Sequence, residues 1–341
     1  MAKQFKHESD DYIPLLDNGK IEIRPSYVPD DELLVDFVNP LNKNDIMQKF
    51  VKINSLTKEE FIKYQKEGRI PADYKIEEWI RGVDQMLKSA TYGFAVGDAL
   101  GVPFEFKKRG TFTCEGMTGF GSWNQAPGTW SDDTSMTLAT LDSIKERGCI
   151  DPNDMRRRFC EWLYQSAYTA NGETFDVGTT TRIALEQGGG LDDYHANGNG
   201  SLMRILPLAF TEVTDDEIRA VSAITHAHKL STEACVEYVH LARQLIRGES
   251  LRMDEIKTKR VEAIQSTGFV LHTLEASIWC LLTTASYREA VCTAVNLGDD
   301  TDTTAAVVGG LAGIKYGFDS IPKEWIDRLK NKALIDSILN K

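Results

Sequence analysis

Helical periodicity is the feature that most limits how this chain can fold. From about residue 76 onward, apolar residues recur every three or four positions, and no segment alternates as a half-buried strand does. The first such segment, residues 76–103, places Trp79, Val83, Leu87 and Phe94 on one stripe. Further helices are predicted at residues 132–148, 151–167, 177–190, 215–228, 231–248, 268–283, 286–298 and 301–317. The sequence therefore predicts an all-α domain.

The first 75 residues have a different pattern. No long helix can run through their first half, because prolines interrupt it at Pro14, Pro25, Pro29 and Pro40. Residues 20–28, KIEIRPSYV, alternate as a short extended piece would. A first helix is predicted at residues 57–68, where Thr57 and Glu60 fit a capping box and Gly68 a C-terminal stop. We interpret residues 1–75 as a partly irregular N-terminal extension, the arm, and residues 76–341 as the helical domain.

Charge and composition exclude several classes of function. The 341 residues carry 39 Lys and Arg against 51 Asp and Glu, a net charge of −12, whereas nucleic acids and anionic membranes require a basic face. The six cysteines form no C-x-x-C pair, which predicts scattered, reduced thiols. The longest apolar run, AAVVGGLAGI, is too short to span a bilayer, and no apolar signal region stands at the start. We expect a soluble, cytoplasmic protein with no nucleic-acid or membrane partner.

Two predicted helix starts, about 165 residues apart, carry more acids than capping needs. One Asp, Ser or Thr caps a helix, so each start alone is also explained by ordinary N-capping. Together they supply oxygen ligands only, namely Ser131, Asp132, Asp133, Asp300, Asp302 and Thr303. Such a set suits Mg²⁺ or Mn²⁺, whereas zinc normally recruits His or Cys. Two divalent ions about 3.5–4 Å apart can hold and activate a water molecule.

Two further acids belong to the end of the first long helix. Asp98 falls inside its apolar stripe, four residues after Phe94, and Glu105 follows just past the helix. A buried carboxylate needs a partner, because an isolated charge in a core is costly. A salt bridge, or a cap for a neighbouring helix, would satisfy Asp98. The small residues at 305–313 allow helices to approach closely and would help bring the acids to one point.

Residues 195–204, HANGNGSLMR, form a glycine-rich segment. Gly198, Gly200 and Ser201 offer backbone N–H groups that suit phosphate, and Arg204 adds positive charge. An ordinary loop is the alternative. The histidines of THAH, His226 and His228, are two residues apart and would not share a helix face, which favours supporting polar roles over zinc binding.

In this order, the motifs resemble those of the ADP-ribosylglycohydrolase family, of the dinitrogenase-reductase-activating-glycohydrolase type. The resemblance covers about residues 88–320. It rests on GFAVGDALGVPFE, WSDDTSM, FDVGTTTRIAL, GNGSLMR, THAH and GDDTDTTAAVVGGLAG. It implies an all-α, roughly orthogonal helical bundle with a centre of two Mg²⁺ ions, in which Mn²⁺ can substitute.

The resemblance also implies roles for individual residues. The metal ligands would be Ser131, Asp132, Asp133, Asp300, Asp302 and Thr303, with Ser131 standing where a threonine is common. The catalytic residues would be Asp133, Asp176 and Glu105, with Asp176 transferring a proton or holding the attacking water. The substrate would be bound by Asp98, Gly198, Asn199, Gly200, Ser201, Met203, Arg204 and His226.

The function that the resemblance implies is removal of ADP-ribose from a modified protein side chain, with arginine favoured although serine-directed members share the metal motifs. Simple members begin near the GFAVGDALG helix, so the arm is a departure. Relatives with such extensions resemble immunity proteins paired with secreted ADP-ribosyltransferase toxins, whose active site the extension enters. Two other hypotheses stay open: a binding protein that neutralises a transferase by occlusion, and a non-catalytic structural relative. The intact acids count against the last, because acids crowded without metal repel each other.

Overall fold

The structure, a computed structural model, describes residues 32–38, 46–52, 58–67 and 76–341. Two strands, β1 (Glu32–Val38) and β2 (Ile46–Lys52), come first. The helices in chain order are α1 (Lys58–Lys66), α2 (Ile76–Gly101), α3 (Asp132–Arg147), α4 (Pro152–Gln165), α5 (Thr179–Gln187), α6 (Asp215–Ser222), α7 (Lys229–Ile246), α8 (Asp254–Lys257), α9 (Val270–Thr283), α10 (Tyr287–Asn296), α11 (Thr301–Tyr316), α12 (Lys323–Ile326) and α13 (Lys332–Leu339). From residue 76 onward every element longer than five residues is a helix, which confirms the predicted all-α domain.

The N-terminal segments contain a hairpin that the sequence analysis did not predict. β1 and β2 pair antiparallel, with Glu32 opposite Lys52 and Val38 opposite Ile46. Their sequences, ELLVDFV and IMQKFVK, mix consecutive apolar residues with alternation. Periodicity in such short runs does not separate a strand from a helical turn, so the pairing is visible only in three dimensions.

α1 lies within residues 57–68, where a helix was predicted. The two residues that signalled its ends, Thr57 and Gly68, lie outside the described residues, as does the extended piece predicted at residues 20–28. The helix itself is therefore confirmed, while its caps and the extended piece stay predictions.

Side-chain caps fix where several helices of the predicted domain begin, α3 and α4 among them. At the start of α3, the Ser131 hydroxyl accepts a hydrogen bond from the backbone N–H of Asp133. At the start of α4, the Asp151 carboxylate accepts from the backbone N–H groups of Asn153 and Asp154, both at 3.1 Å. These caps satisfy N–H groups that have no partner within the helix, and they explain why both starts were predictable.

One predicted helix is shorter than expected. The helix predicted over residues 215–228 ends as α6 at Ser222. After it the chain is extended beside Leu191, whose N–H donates to the Thr225 carbonyl (3.0 Å) and whose carbonyl accepts from the Ala227 N–H (2.8 Å). The THAH motif therefore lies outside the helix, in a turn and a short stretch that pairs with a distant segment.

Glycines let α2 and α11 approach closely. A Cβ atom on Gly97 would lie 2.1 Å from the Ala305 carbonyl oxygen, and one on Gly101 would lie 2.3 Å from Cα of Asp302. Only residues without a Cβ fit at such distances. The contact brings the end of α2, with its acids, against the first turn of α11.

The described residues group into two compact units, one from within residues 32–85 together with residues 246–249, and one of residues 86–245 together with 250–341. None of the six cysteines forms a disulfide, and three of them are buried: Cys114, Cys235 and Cys280. Across the ranges that the structure describes, no helix combines the length and the hydropathy that a membrane span requires.

Candidate active site

Asp98 fixes the start of α3. Its carboxylate oxygens accept hydrogen bonds from the backbone N–H of Ser131 (2.9 and 3.1 Å) and from the N–H (3.0 Å) and hydroxyl (2.6 Å) of Thr134. The side chain is fully buried; burial raises the pKa of its carboxyl to about 6, against the opposing effect of the bond from Thr134. The oxygens of Asp98 therefore serve as a cap for the neighbouring helix, and the substrate contact predicted for this residue stays a prediction.

Hydrogen bonds to one carboxylate oxygen join the starts of α3 and α11. Oδ2 of Asp133 accepts from the hydroxyl of Ser131 (3.0 Å) and from that of Thr303 (3.3 Å). Carboxylate oxygens of Asp98, Asp133 and Asp302 lie within 4.8 Å of one another. The two distant acid clusters thus meet at one buried point.

A second group of acids adjoins the first. Carboxylate oxygens of Glu105, Asp176 and Asp302 also lie within 4.8 Å of one another, so Asp302 belongs to both groups. Trp123 donates from its indole Nε1 to Oε2 of Glu105. Asp176 has a φ of +54°, a left-handed conformation that non-glycine residues adopt rarely and that surrounding contacts must hold in place.

The acids leave hydrogen-bonding capacity unused. In the part of the chain that the structure describes, three buried carboxylate oxygens have no hydrogen-bond donor: Oδ1 of Asp133, Oδ1 of Asp300 and Oδ2 of Asp302. A buried acceptor without a partner is destabilising, and a cation satisfies it. The atoms that could bind a cation here are carboxylate and hydroxyl oxygens. The residues present therefore fit a hard divalent cation such as Mg²⁺ or Mn²⁺.

The electrostatics of the cluster support the same interpretation. Burial is the largest cause of the pKa values of Asp132, Asp133 and Asp302, which lie well above the usual range, and neighbouring carboxylates raise them further. Burial also raises the pKa of Asp300. Negative charges held this close repel each other, and a bound divalent cation would neutralise them.

The glycine loop, residues 197–204, is tied to the acids. Nδ2 of Asn199 donates to Oδ2 of Asp300 and to the hydroxyl of Thr273, both at 2.9 Å. A Cβ atom on Gly200 would lie 2.8 Å from Cε1 of His226, so the loop runs directly against that ring. The predicted neighbourhood of the glycine loop, the acids and His226 is present in the structure.

Three side chains of the loop point into the core. Arg204 is fully buried and donates to the Val221 carbonyl (3.1 Å) and to the Thr225 hydroxyl (2.7 Å). The guanidinium of Arg204 therefore serves the interior, and the phosphate contact predicted for this residue stays a prediction. Ser201 and Met203 are buried as well, so only their backbone could meet a substrate.

Arg204 nonetheless sets the protonation of His226. A guanidinium only donates, so the Thr225 hydroxyl accepts from it. Among the described residues, the one other hydrogen-bond partner of that hydroxyl is Nδ1 of His226 (2.8 Å), and we assign the hydroxyl proton to this bond. Burial and the charge of Arg204 lower the pKa of His226 to about 3, which leaves a neutral ring with its proton on Nε2. A Cβ atom on Gly198 would lie 3.6 Å from Nε2, so this N–H faces the glycine loop.

Several residues that shape the site were missed from sequence. Thr134, Thr225 and Trp123 act by holding Asp98, His226 and Glu105 respectively. Thr134 belongs to the WSDDTSM motif and Thr225 to THAH, so the local motifs contained a signal for both residues. Trp123 had no local signal, because it meets Glu105 only through the fold.

The chain is similar to known proteins of one family. The sequence model of the ADP-ribosylglycohydrolases matches residues 83–341. The chain is 32% identical over 281 residues to ADP-ribosylarginine hydrolase Tri1 of Serratia proteamaculans, covering 74% of this chain and 77% of that relative. It is 31% identical over 271 residues to the ADP-ribosyl-(dinitrogen reductase) glycohydrolase of Rhodospirillum rubrum, covering 72% of this chain and 90% of that relative.

A solved structure agrees with the sequence relatives. A chain of an "ADP-ribosylglycohydrolase-related protein complex" superposes with a TM-score of 0.64 and is 30% identical, covering 76% of this chain and 97% of that chain. The family match covers most of the sequence and includes every residue of the acid cluster. The chain therefore belongs to the ADP-ribosylglycohydrolase family.

Proposed function

We propose that this protein is a metal-dependent hydrolase that removes ADP-ribose from arginine side chains of modified proteins. The observation that carries the proposal is the set of three buried carboxylate oxygens without donors, beside the Glu105–Asp176 pair. The arginine linkage is supported by relatives named ADP-ribosylarginine hydrolase, at 32% and 33% identity.

The proposed metal ligands are the oxygens at the starts of α3 and α11. They would hold two Mg²⁺ ions, with Mn²⁺ as a substitute, through Ser131, Asp132, Asp133, Asp300, Asp302 and Thr303. When bound, such ions supply positive charge that polarises ribose hydroxyls and lowers the pKa of a bound water. The absence of nitrogen and sulfur from this ligand set disfavours zinc.

Glu105 and Asp176 are suited to proton transfer. Burial raises the pKa of Glu105 to about 9, and the adjacent negative charge of Asp176 adds to the effect. In the metal-free protein Glu105 is therefore the member of the pair that holds a proton more readily. As water adds to the anomeric carbon and the C–N bond breaks, Glu105 can protonate the departing guanidine nitrogen while Asp176 accepts a proton from the water.

We assign the phosphates of ADP-ribose to the glycine loop. Gly198 and Gly200 have no side chain on the side that faces His226, and the Nε2–H of that ring adds a neutral donor. Asn199 links the loop to Asp300, so phosphates there would place the distal ribose beside the acids.

We further propose that the arm binds a cognate ADP-ribosyltransferase toxin and blocks its NAD site. The family match begins at residue 83, so residues 1–75 lie outside it, and they contribute none of the site residues. The proposed apolar anchors are Ile21, Ile23, Tyr27, Leu33 and Leu34; the side chains of all five lie outside the described residues. Without residues 1–75 the protein should still release ADP-ribose but no longer inhibit the transferase; equal inhibition by both forms would reject this role.

The proposed activity is tested with a panel of substrates. Proteins carrying arginine-, serine- or cysteine-linked ADP-ribose are incubated with the protein and Mg²⁺, and free ADP-ribose is followed. We expect release from the arginine-linked substrate. No release from any of the three, with ADP-ribose still binding, would favour the alternative of a binding protein that acts by occlusion alone.

A further inference from the structure

Three aromatic side chains surround the Glu105–Asp176 pair. Phe106 directly follows Glu105, Phe175 directly precedes Asp176, and Trp123 donates a hydrogen bond to Glu105. The ring centre of Trp123 lies 6.1 Å from that of Phe106 and 5.5 Å from that of Phe175. We call Phe106, Trp123 and Phe175 the aromatic cluster.

The aromatic cluster is held at the surface rather than packed in the core. Phe106 is 70% exposed, and its two partners are partly exposed. Its φ of +65° is a left-handed conformation that is strained for a residue with a bulky side chain. The backbone keeps that conformation through a hydrogen bond from the Phe106 N–H to the Asp299 carbonyl (2.7 Å). A large ring that is both exposed and strained beside the buried Glu105 and the half-buried Asp176 indicates a binding role.

The aromatic cluster lies at the end of the site where the leaving group would emerge. Hydrogen bonds and short distances give an order along the site: Asn199 of the glycine loop bonds Asp300, Asp302 belongs to both acid groups, and Glu105 bonds the indole of the cluster. Under the proposed function, phosphates at the loop and ribose at the acids direct the departing side chain toward Glu105. The inference below rests on that function.

We infer that the aromatic cluster is the subsite for the guanidinium of ADP-ribosyl-arginine and so selects this linkage. A planar guanidinium stacks on aromatic faces, best on Trp, within about 6 Å of the ring centre. The acid pair adds negative charge on the same side. A serine leaving group is neutral and would gain neither interaction.

The cluster has room for such a cation. In the part of the chain that the structure describes, a lysine or arginine lies over each of six aromatic rings, and none of these rings belongs to the cluster. Lys107, the nearest cation in sequence, lies over Phe104 instead, 5.0 Å from its ring centre. No cation in the described part of the chain therefore occupies the faces of the cluster.

The test replaces the two phenylalanines and leaves Trp123 unchanged because it contacts Glu105. The double variant Phe106→Leu/Phe175→Leu keeps apolar volume but removes both rings. Phe120→Leu is the matched control, since Phe120 is 56% exposed, has a φ of +61° and lies outside the cluster. A rescue variant, Phe106→Tyr/Phe175→Tyr, keeps the rings. For each protein, kcat/KM on an ADP-ribosyl-arginine peptide and the Kd for free ADP-ribose are measured with Mg²⁺.

We expect the leucine variant to lose about tenfold or more in kcat/KM, as for one or two lost cation–π contacts. Its Kd for free ADP-ribose should stay within about twofold, because that ligand lacks the guanidinium. The tyrosine variant and Phe120→Leu should retain wild-type values. A leucine variant equal to Phe120→Leu, or one that loses ADP-ribose affinity by the same factor, overturns the inference and leaves the proposed function intact. Absence of arginine-linked turnover in the wild type overturns both.

Discussion

At the scale of single residues, buried polar groups hold the acids and His226 of the site in place. Asp98 holds the start of α3 by accepting hydrogen bonds from three groups of that helix start. The Arg204–Thr225 pair holds the proton of His226 on Nε2. Each of these buried groups would lose a hydrogen bond that water cannot replace if its partner were removed. Positioning residues of this kind explain why a site can fail when all its ligands are present.

Asp98→Asn tests this dependence. The amide places an NH₂ group where only acceptors fit, against the N–H groups of Ser131 and Thr134. We expect a loss of about 1–3 kcal/mol in the free energy of unfolding, measured in urea, together with a lower kcat. The exposed Asp319→Asn serves as the control. Unchanged stability and turnover in Asp98→Asn would show that the cap does not matter.

At the scale of elements, close approach of α2 and α11 assembles the acids. The glycines of α2 leave no room for a Cβ against the first turns of α11, so the helix starts and their acids converge. The approach is a contact between the backbones of the two helices, and it positions the acidic side chains without depending on them. We therefore expect activity to be sensitive to small changes in helix spacing far from any ligand.

Gly97→Ala should separate the two helices. Its Cβ would lie 2.1 Å from the Ala305 carbonyl oxygen, whereas Gly189→Ala adds a Cβ with no atom within 4 Å and serves as the control. Overpacking of this kind costs about 1–3 kcal/mol. Thermal unfolding should show a lower Tm for Gly97→Ala, and its kcat should fall because Asp302 moves relative to the other acids. A Tm equal to that of Gly189→Ala would argue against the close contact.

The sequence predicted the helices better than it predicted the contacts between distant segments. Helix starts at Ser131 and Asp151 were predictable because their caps act within a few residues. The direction of Arg204 was not, because a basic residue beside a glycine loop suits phosphate equally well until the interior partners are known. The β1–β2 hairpin and the Trp123–Glu105 contact depend on pairing between segments, which local patterns do not record.

At the scale of the whole molecule, the fold places several acidic side chains in its interior. Burial raises the pKa of Asp98 to about 6 and of Glu105 to about 9, and Asp176 is raised to about 6 for the same reason. A folded pKa above the unfolded value means that the folded state binds more protons. The contribution of these carboxyl groups to the free energy of unfolding is complete below about pH 4. It is lost as the pH rises through their pKa values in the folded state.

We therefore predict that the metal-free protein is more stable at pH 5.5 than at pH 8. The pKa of Glu146 is lowered to about 2 by bonds from Lys341 and Arg158, so its contribution is lost only at more acidic pH. Tm is measured in EDTA at both pH values, then with saturating Mg²⁺, which should raise the Tm more at pH 8. Asp133→Asn should flatten the dependence in EDTA. A metal-free Tm that is higher at pH 8 would contradict the account of the buried acids.

The most direct test of the account is metal-dependent release of ADP-ribose from an arginine-linked substrate. Metal-stripped protein should be inactive, Mg²⁺ or Mn²⁺ should restore turnover, and zinc alone should not. Asp132→Ala and Asp302→Ala, one from each helix start, should each lower kcat by at least about a hundredfold while the protein stays folded. Full activity in excess EDTA, or near-normal turnover by either variant, would contradict a metal centre built from these acids.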